Sequence, residues 1–522
     1  MKYIVTGGAG FIGSHLVDKL IELKHDVIII DNLLTGKIYN INKNATFIYG
    51  DITNMDIINT IFDNTIDGVF HLAAIARTPW CIKNPLLTYE TNVKGSLNIL
   101  ECCRQKNIPR IVLTSSNVVY GKHTPYRSSK EAMESLAQVY KETYNMSTIC
   151  LRNSNVYGTR QNMDEFSPSV FASFKKSKMV NGFIEITGDG NQSSDFTHVS
   201  DIVDGHIQAM NSTYCGIVDL CTGVNTTLNE IGNFFECPVH YIPERISDVK
   251  HIYQDPTLAK KHLNWESKIP LHTGMMDLFE EDKKKLTIMT GIYNEEKLLP
   301  FWIEHHKKLQ DKGIIHNVIV IDHNSTDESM NIIKKTCPNW IIVNTKTTCF
   351  DAAAVDIEIM EYEKNIPGYK LFLNTTEFLM CDDISSILHT EQPLCYYINN
   401  ETLLAREKYY SPTDFNDLIH KTRYKINGYR EPRYLHSYTT GKYEVGRHKT
   451  GNTLTHHNIS LYIIWVGMYS LSDIFLDRKL QIKHRIPESD RIAGASFQHF
   501  WDRERIEKEY DYLVLSCELY AR

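Results

Sequence analysis

At 522 residues the chain exceeds one ordinary domain core, and 42% hydrophobic with 23% charged residues is the balance of globular protein. A net charge of -7 argues against a nucleic-acid partner, because no basic field is available to attract phosphates. The 12 cysteines contain no CxxC pair, so they read as small buried hydrophobes in a reducing compartment, with neither a disulfide framework nor a metal site.

Residues 2–6 already form a strand that the fold needs, which leaves no room for a cleavable signal and makes the cytoplasm the expected location. From residue 1 to about 280, short apolar runs alternate with helical patterns: Tyr3–Val5, Val27–Ile30, Phe47–Tyr49, Gly68–Leu72 and Arg110–Thr114. Such alternation predicts βαβ units and a parallel sheet with right-handed crossovers. The charged run Glu280–Lys285 interrupts it, and a second α/β series begins with strands at Leu286–Gly291, Asn317–Ile321, Trp340–Asn344 and Tyr369–Leu373. The expected domains are therefore 1–284 and 286–522. The apolar stretch Ile459–Leu471 is too short to span a bilayer and reads as a buried element.

The first strand runs into Gly7–Gly8–Ala9–Gly10–Phe11–Ile12–Gly13, which opens an amphipathic helix. Glycine permits the tight strand-to-helix turn and lets backbone approach a pyrophosphate, and the helix N-terminus supplies free N–H groups for it. The second strand ends in Asp31, where a carboxylate accepts hydrogen bonds from ribose hydroxyls, favouring NAD over NADP. Asp51, after the third strand, is expected near the adenine.

An ordered series of motifs follows: Asp31–Asn32 in DNLLTG, Gly50–Asp51–Ile52, His71–Leu72–Ala73–Ala74, Asn92–Gly95, Thr114–Ser116 running to Gly121, and Tyr126 with Lys130. Arg152, Asn155–Gly158, Gly188–Gly190 and Asp195–Val199 complete it. On these residues, 1–280 resembles the extended short-chain dehydrogenases that epimerise or dehydrate nucleotide sugars. The resemblance implies a Rossmann doubly wound parallel sheet with a small substrate lobe. It also implies an NAD site built from Gly7, Gly10, Phe11, Ile12, Gly13, Asp31, Asn32, Asp51, Ile52, Leu72, Ala73, Ala74, Asn92 and Lys130. Ser116, Tyr126 and Lys130 would be catalytic, and Asn155 and Arg245 would hold the substrate. A homodimer through helices around 92–103 and 129–144 is a further family-level expectation.

Tyr126 and Lys130 lie one helical turn apart and share a face; a nearby ammonium lowers a phenol pKa and makes tyrosine a usable base. In the family, dehydratases and decarboxylases place acidic residues after the catalytic hydroxyl residue. Here those positions are Asn117 and Val118, which favours an epimerase, of UDP-sugar 4-epimerase type, passing through a transient keto sugar. Two departures stand out: only Lys122–Thr124 remains of the loop before Pro125, and Ser194 replaces the usual arginine, leaving Arg245 to grip the diphosphate.

Residues 286–522 resemble family 2 glycosyltransferases of the GT-A fold, through Gly291–Glu296, Asp322–Asp327, Phe350–Ala352 and Leu373–Phe378. The resemblance implies a nucleotide-sugar site with Asp322 at the nucleoside, Glu377 beside the diphosphate, and a glycan acceptor. The family's metal-binding aspartates are replaced by Asn374 and Thr376, and neutral oxygens hold magnesium or manganese far more weakly. No metal is therefore expected, and Arg447, His448 and Lys449 are candidate substitutes for its charge; His448, His456 and His457 read equally well as ordinary histidines. Alternatives are a net NAD-dependent oxidoreductase or dehydratase in the first half, and a nucleotide-sugar-binding protein with an inactive second half.

Overall fold

The computed structural model describes the chain apart from residues 162–168, 245–248, 348–351, 389–393, 406–409, 421, 428–432, 444–449, 455–460, 467, 468, 471, 473, 476–479, 481–501, 521 and 522. Arg245, Phe350, Asp351, Arg447, His448, Lys449, His456 and His457 lie outside the described residues. The chain divides into two compact units, Met1–Lys178 with Phe183–Phe279, and Met179–Gly182 with Glu280–Arg522. No described helix is long and apolar enough to cross a membrane.

In the first unit, strands β1 (Lys2–Thr6), β2 (Asp26–Asp31), β3 (Thr46–Tyr49), β4 (Gly68–His71), β5 (Ile111–Ser116) and β6 (Thr148–Asn153) are followed by β7 (Asn155–Tyr157), β8 (Ile184–Thr187), β9 (Ser193–His198), β10 (Gly216–Leu220), β11 (Asn225–Thr227) and β12 (Val239–Ile242). Its helices include α1 (Phe11–Glu22), α2 (Met55–Ile61), α3 (Thr78–Lys83), α4 (Pro85–Tyr89), α5 (Ser96–Gln105), α6 (Pro125–Tyr144), α7 (Val170–Asn181) and α8 (Val199–Asn211). The main sheet has the order β10-β6-β5-β4-β1-β2-β3 with all neighbours parallel.

Successive side chains of a strand face opposite ways, and the two cores follow that alternation. Tyr3, Val5 and Ile29 pack with Leu16, Val17 and Leu20 of α1 and with Ile202 and Val203 of α8. Ile4 and Ile30 pack on the other face with Ile99 and Leu100 of α5 and Met133 and Ala137 of α6. Burial on both faces explains why these strands read as apolar runs rather than alternating ones. A smaller lobe is built from β11-β9-β7 and β12-β8 around Tyr157, Phe171, Phe196 and Ile231.

Two histidines are locked into this core as neutral rings. The Nδ1 of His71 lies 2.8 Å from Thr6 Oγ1, and its Nε2 lies 2.9 Å from Ser96 Oγ. Because Ser96 donates its own proton to the Asn92 carbonyl, it accepts from His71 Nε2, which leaves Nδ1 as the acceptor. The ring of His206 bridges Ile202 O and Thr114 Oγ1. Burial pushes His71 down to about 3 and His206 down to about 4. The unfolded chain takes up both protons below about pH 6.5, where the folded chain does not. Stability is thus complete above pH 6.5 and falls by about 1.4 kcal/mol per pH unit for each histidine as pH drops towards 4. Thermal melts at pH 7.5, 6.0 and 5.0 are expected to show a steadily falling Tm; a flat profile would contradict the neutral-ring assignment.

In the second unit, β13 (Leu286–Ile292), β14 (Asn317–Asp322), β15 (Ile341–Asn344), β16 (Tyr369–Phe372), β17 (Glu377–Met380), β18 (Cys395–Ala405), β19 (Thr422–Asn427), β20 (Arg433–His436) and β21 (Tyr462–Trp465) form one mixed sheet. Its order is β15-β14-β13-β16-β20-β18-β21-β17, with β19 on β18. The stretch from β15 through β13 to β16 is parallel, and β20 then pairs antiparallel with β16 and β18.

Candidate active site

A cavity lies across the carboxyl ends of the first unit's strands, where the strand order reverses between β4 and β1, the place where ligands bind in open α/β sheets. Gly7, Gly10, Phe11, Ile12, Gly13, Asp31, Asn32, Ile52, Leu72, Ala73 and Ala74 line one part of it. Here the glycines are required. Gly7 has φ +73°, and a Cβ on it would meet the Ala73 backbone nitrogen at 2.8 Å, while one on Gly13 would collide with the Gly7 carbonyl. Gly10 caps α1 without a side chain, so the first helical N–H groups stay open to an anion. Asp31 is buried; its Oδ2 accepts from Ala9 N at 3.0 Å and its Oδ1 from Leu33 N at 2.8 Å. Burial raises its pKa, and those two N–H groups pull it partly back. A fixed carboxylate and an open helix start fit the ribose and pyrophosphate of a dinucleotide.

Beyond it lie Ser116 at the end of β5, and Tyr126 and Lys130 on α6. Thr124 caps α6 by accepting from Arg127 N, and Pro125 opens the helix, which fixes Tyr126 within the first turn. Tyr126 and Lys130 are 8% and 4% exposed, so neither is a solvated surface pair. The Ser116 hydroxyl stands beside the Tyr126 phenol and favours its ionised form. Burial pushes the phenol's pKa above the usual value, while the neighbouring Ser116 hydroxyl and the charge of Arg77 act in the opposite direction.

Lys130 departs from expectation. Its Nζ donates to the Thr114 carbonyl at 2.6 Å, and burial depresses the ammonium to about 8. The cation acting on the Tyr126 phenol is thus Arg77, which stands at the start of α3. Arg77, Lys122, Asn153 and Gln161 also line the cavity, and sequence patterns did not single them out for it. Their one available signal was position: they lie at or just beyond the carboxyl ends of parallel strands and in the loops there. Asp31 is the only carboxylate among the described lining residues, set against Arg77, Lys122 and Lys130.

Of the other expected site residues, Asn155 lines the cavity, as does Ser194, which stands in place of the family's arginine. Asp51 and Asn92 do not. Asp51 accepts from Asn32 Nδ2 at 2.8 Å and so positions that residue. Asn92 is 1% exposed, receives Ile75 N, and donates to Ile75 O and Ser129 Oγ, which ties the loop after β4 to α6. Arg245 lies outside the described residues.

In the second unit, Asp322 closes β14 and accepts from Ser325 N at 2.9 Å. Asn294, with φ +51°, accepts from Thr326 N, so the loops after β13 and β14 are laced together. Glu377 is already engaged: Arg433 Nη2 and Nε reach its two oxygens at 2.6 and 3.2 Å, and Asn374 N donates at 2.8 Å. Burial alone would raise its pKa, but the Arg433 charge and these bonds hold it below the usual range. With Asn374 and Thr376 neutral and Glu377 paired, the residues of this turn do not fit a divalent cation. Among the described residues no three His, Cys, Asp or Glu side chains gather as a metal site. Arg433→Met would strand a buried carboxylate and is expected to cost about 3–5 kcal/mol, with Glu377→Gln in the same chain recovering part of it. Equal melting temperatures for Arg433→Met and the unaltered chain would refute the pair's structural role.

Comparison with known proteins matches the first unit. The model of the NAD dependent epimerase/dehydratase family matches residues 3–216. A candidate UDP-glucose 4-epimerase of Methanocaldococcus jannaschii is 37% identical over 293 residues, covering 52% of this chain and 95% of that protein. The UDP-glucuronate 4-epimerase of Thermodesulfobacterium geofontis is 30% identical over 322 residues, covering 56% of this chain and 98% of its own. Among solved structures, Thermotoga maritima UDP-glucose 4-epimerase with UDP-glucose is 33% identical with a TM-score of 0.52, covering 54% of this chain and 99% of that one. Through its N-terminal half, then, this chain belongs to the NAD dependent epimerase/dehydratase family, with NAD as its cofactor and UDP-sugar epimerases among its relatives.

Proposed function

We propose that residues 1–284 epimerise a nucleotide sugar, of UDP-sugar 4-epimerase type, and that residues 286–522 form a GT-A-like nucleotide-sugar-binding domain. The observation that carries the first part is Ser116 with the buried Tyr126 and Lys130 in the same cavity as the glycine turn and Asp31. NAD, when bound, supplies the acceptor that takes a hydride from the carbinol carbon and gives it back. Ser116 holds the sugar hydroxyl, and Tyr126 removes its proton and later restores it to the inverted alcohol. Lys130, fixed to the Thr114 carbonyl, adds a cation at the back of the site. Asn117 and Val118 offer no acid to expel water, which supports epimerisation over dehydration. Asn155 and Arg245 are assigned to the substrate side, where Arg77 and Lys122 add positive charge suited to a diphosphate.

The test is to incubate the full chain with UDP-, GDP- and CDP-sugars, following products by NMR and NADH by absorbance. An inverted sugar without stoichiometric NADH supports the reading; net NADH, or an unsaturated or keto product, overturns it in favour of an oxidoreductase or dehydratase.

For the second unit, the support is the parallel β15-β14-β13-β16 edge with Asp322 at a strand end. Because Glu377 is held by Arg433, the reading is of a domain that binds its nucleotide sugar without a divalent cation, and its transferase activity towards a glycan acceptor is degenerate. Donor hydrolysis or transfer that depends on added manganese and vanishes with EDTA would contradict this.

We further propose a homodimer through α4–α6. Leu86 is 85% exposed, and Leu97, Val139 and Tyr144 are exposed on the same group of packed helices. Leu86→Lys together with Val139→Lys is expected to shift the chain from dimer to monomer in light scattering; an unchanged mass would exclude this face.

A further inference from the structure

The ends of β5 and β6 carry two carboxamides that the protein itself does not satisfy. Asn153, 4% exposed, closes β6 in register with Ser116 on β5. Neither its Nδ2 nor its Oδ1 has a hydrogen-bond partner. Asn117, 5% exposed, follows Ser116 directly; its Nδ2 is likewise unpaired, while its Oδ1 accepts from Ser116 Oγ at 3.4 Å. Both side chains belong to residues lining the cavity.

Buried polar groups in folded proteins are nearly always paired, and an unpaired one costs free energy that a leucine of similar size would not. Asn92 shows the ordinary solution nearby, with both ends of its amide used by Ile75 and Ser129. Asn153 uses neither end. An amide presents one donor edge and one acceptor edge, so an anion would satisfy only half of it and meet the carbonyl with repulsion. Its complement is a neutral group that offers both a donor and an acceptor.

We propose that Asn153, with Asn117 beside it, is a ligand-binding carboxamide of the reaction centre, pairing with a neutral donor–acceptor group of the molecule lying against Ser116. Two sources have that chemistry: the carboxamide of the nicotinamide ring, and the hydroxyls of the sugar. The inference rests on the reading that this cavity holds NAD and a nucleotide sugar.

The experiment measures affinities of the full chain and of Asn153→Leu for four probes: NAD, its 3-acetylpyridine analogue (an acceptor without the N–H donor), UDP-glucose and UDP. If the nicotinamide is the partner, the preference for NAD over the analogue falls about tenfold in Asn153→Leu. If the sugar is the partner, the ratio of UDP-glucose to UDP affinity falls about tenfold while NAD binding holds. In either case the ligand-free Tm of the variant equals or exceeds that of the unaltered chain, because an unsatisfied amide has been removed. Asn153→Ala repeats the comparison should leucine overfill the site. Variants that bind all four probes within about twofold of the unaltered chain would overturn the inference alone. An unaltered chain that binds neither NAD nor UDP-glucose would overturn the underlying reading with it.

Discussion

Phenylalanine at position 126 is expected to lower epimerisation by roughly 10²–10⁴-fold, the usual contribution of a positioned acid–base group, while NAD remains bound. The expectation rests on geometry. Tyr126 is buried, stands beside Ser116, and is fixed in the first turn of α6 by the Thr124 cap. Removing one oxygen leaves the ring and its packing against Ile75 and Cys81 intact, so the fold and the cofactor site should be unaffected. The measurement is kcat with the cofactor content of the purified variant. Retained turnover would exclude Tyr126 as the proton carrier. Because burial raises its pKa, the phenol is protonated at neutral pH in the ligand-free protein. Turnover limited by that proton is therefore expected to rise from pH 7 only as far as about 8, where the Lys130 ammonium begins to lose its charge.

Lys130→Met is expected to act in opposite directions on activity and stability. Activity should drop at least about a hundredfold, through loss of the cation at the reaction centre. Stability should rise. With its folded pKa near 8 against 10.5 in the unfolded chain, the ammonium is disfavoured by folding, which costs about 3 kcal/mol at neutral pH. Both states are protonated below pH 8, so the cost is complete there, and it is relieved as pH rises from 8 to 10.5. Methionine removes the cost and loses the bond to the Thr114 carbonyl, for a net gain of about 1–2 kcal/mol, or a Tm several degrees higher in the cofactor-free protein. A Tm that falls would show that the ammonium stabilises the fold. Destabilising a catalytic site in this way is the familiar trade between activity and stability.

Much of this arrangement is legible in the sequence because local patterns dictate it. Apolar runs such as Tyr3–Val5 and Val27–Ile30 lie within β1 and β2, and the runs at Asn317–Ile321 and Tyr369–Leu373 locate β14 and β16. The glycine turn is legible for the same reason, since Gly7 and Gly13 sit where no Cβ fits. What the sequence hides depends on distant partners. Nothing near Lys130 indicates that its ammonium points to the Thr114 carbonyl, sixteen residues away, with Arg77 acting on the phenol. Asn92 looks like a ligand residue, yet its amide is consumed by Ile75 and Ser129. Glu377 looks like the surviving acid of a metal site until β20 brings Arg433 against it across fifty-six positions. Pairing at that range leaves no periodic trace in either segment.

The most direct test of the central reading uses UDP-glucose carrying deuterium at C4. Transient oxidation at that carbon, with the hydrogen held inside the site and returned to the opposite face, predicts UDP-galactose that keeps its deuterium, with no net NADH. Loss of the label to water, or no inversion at C4 at all, would contradict it.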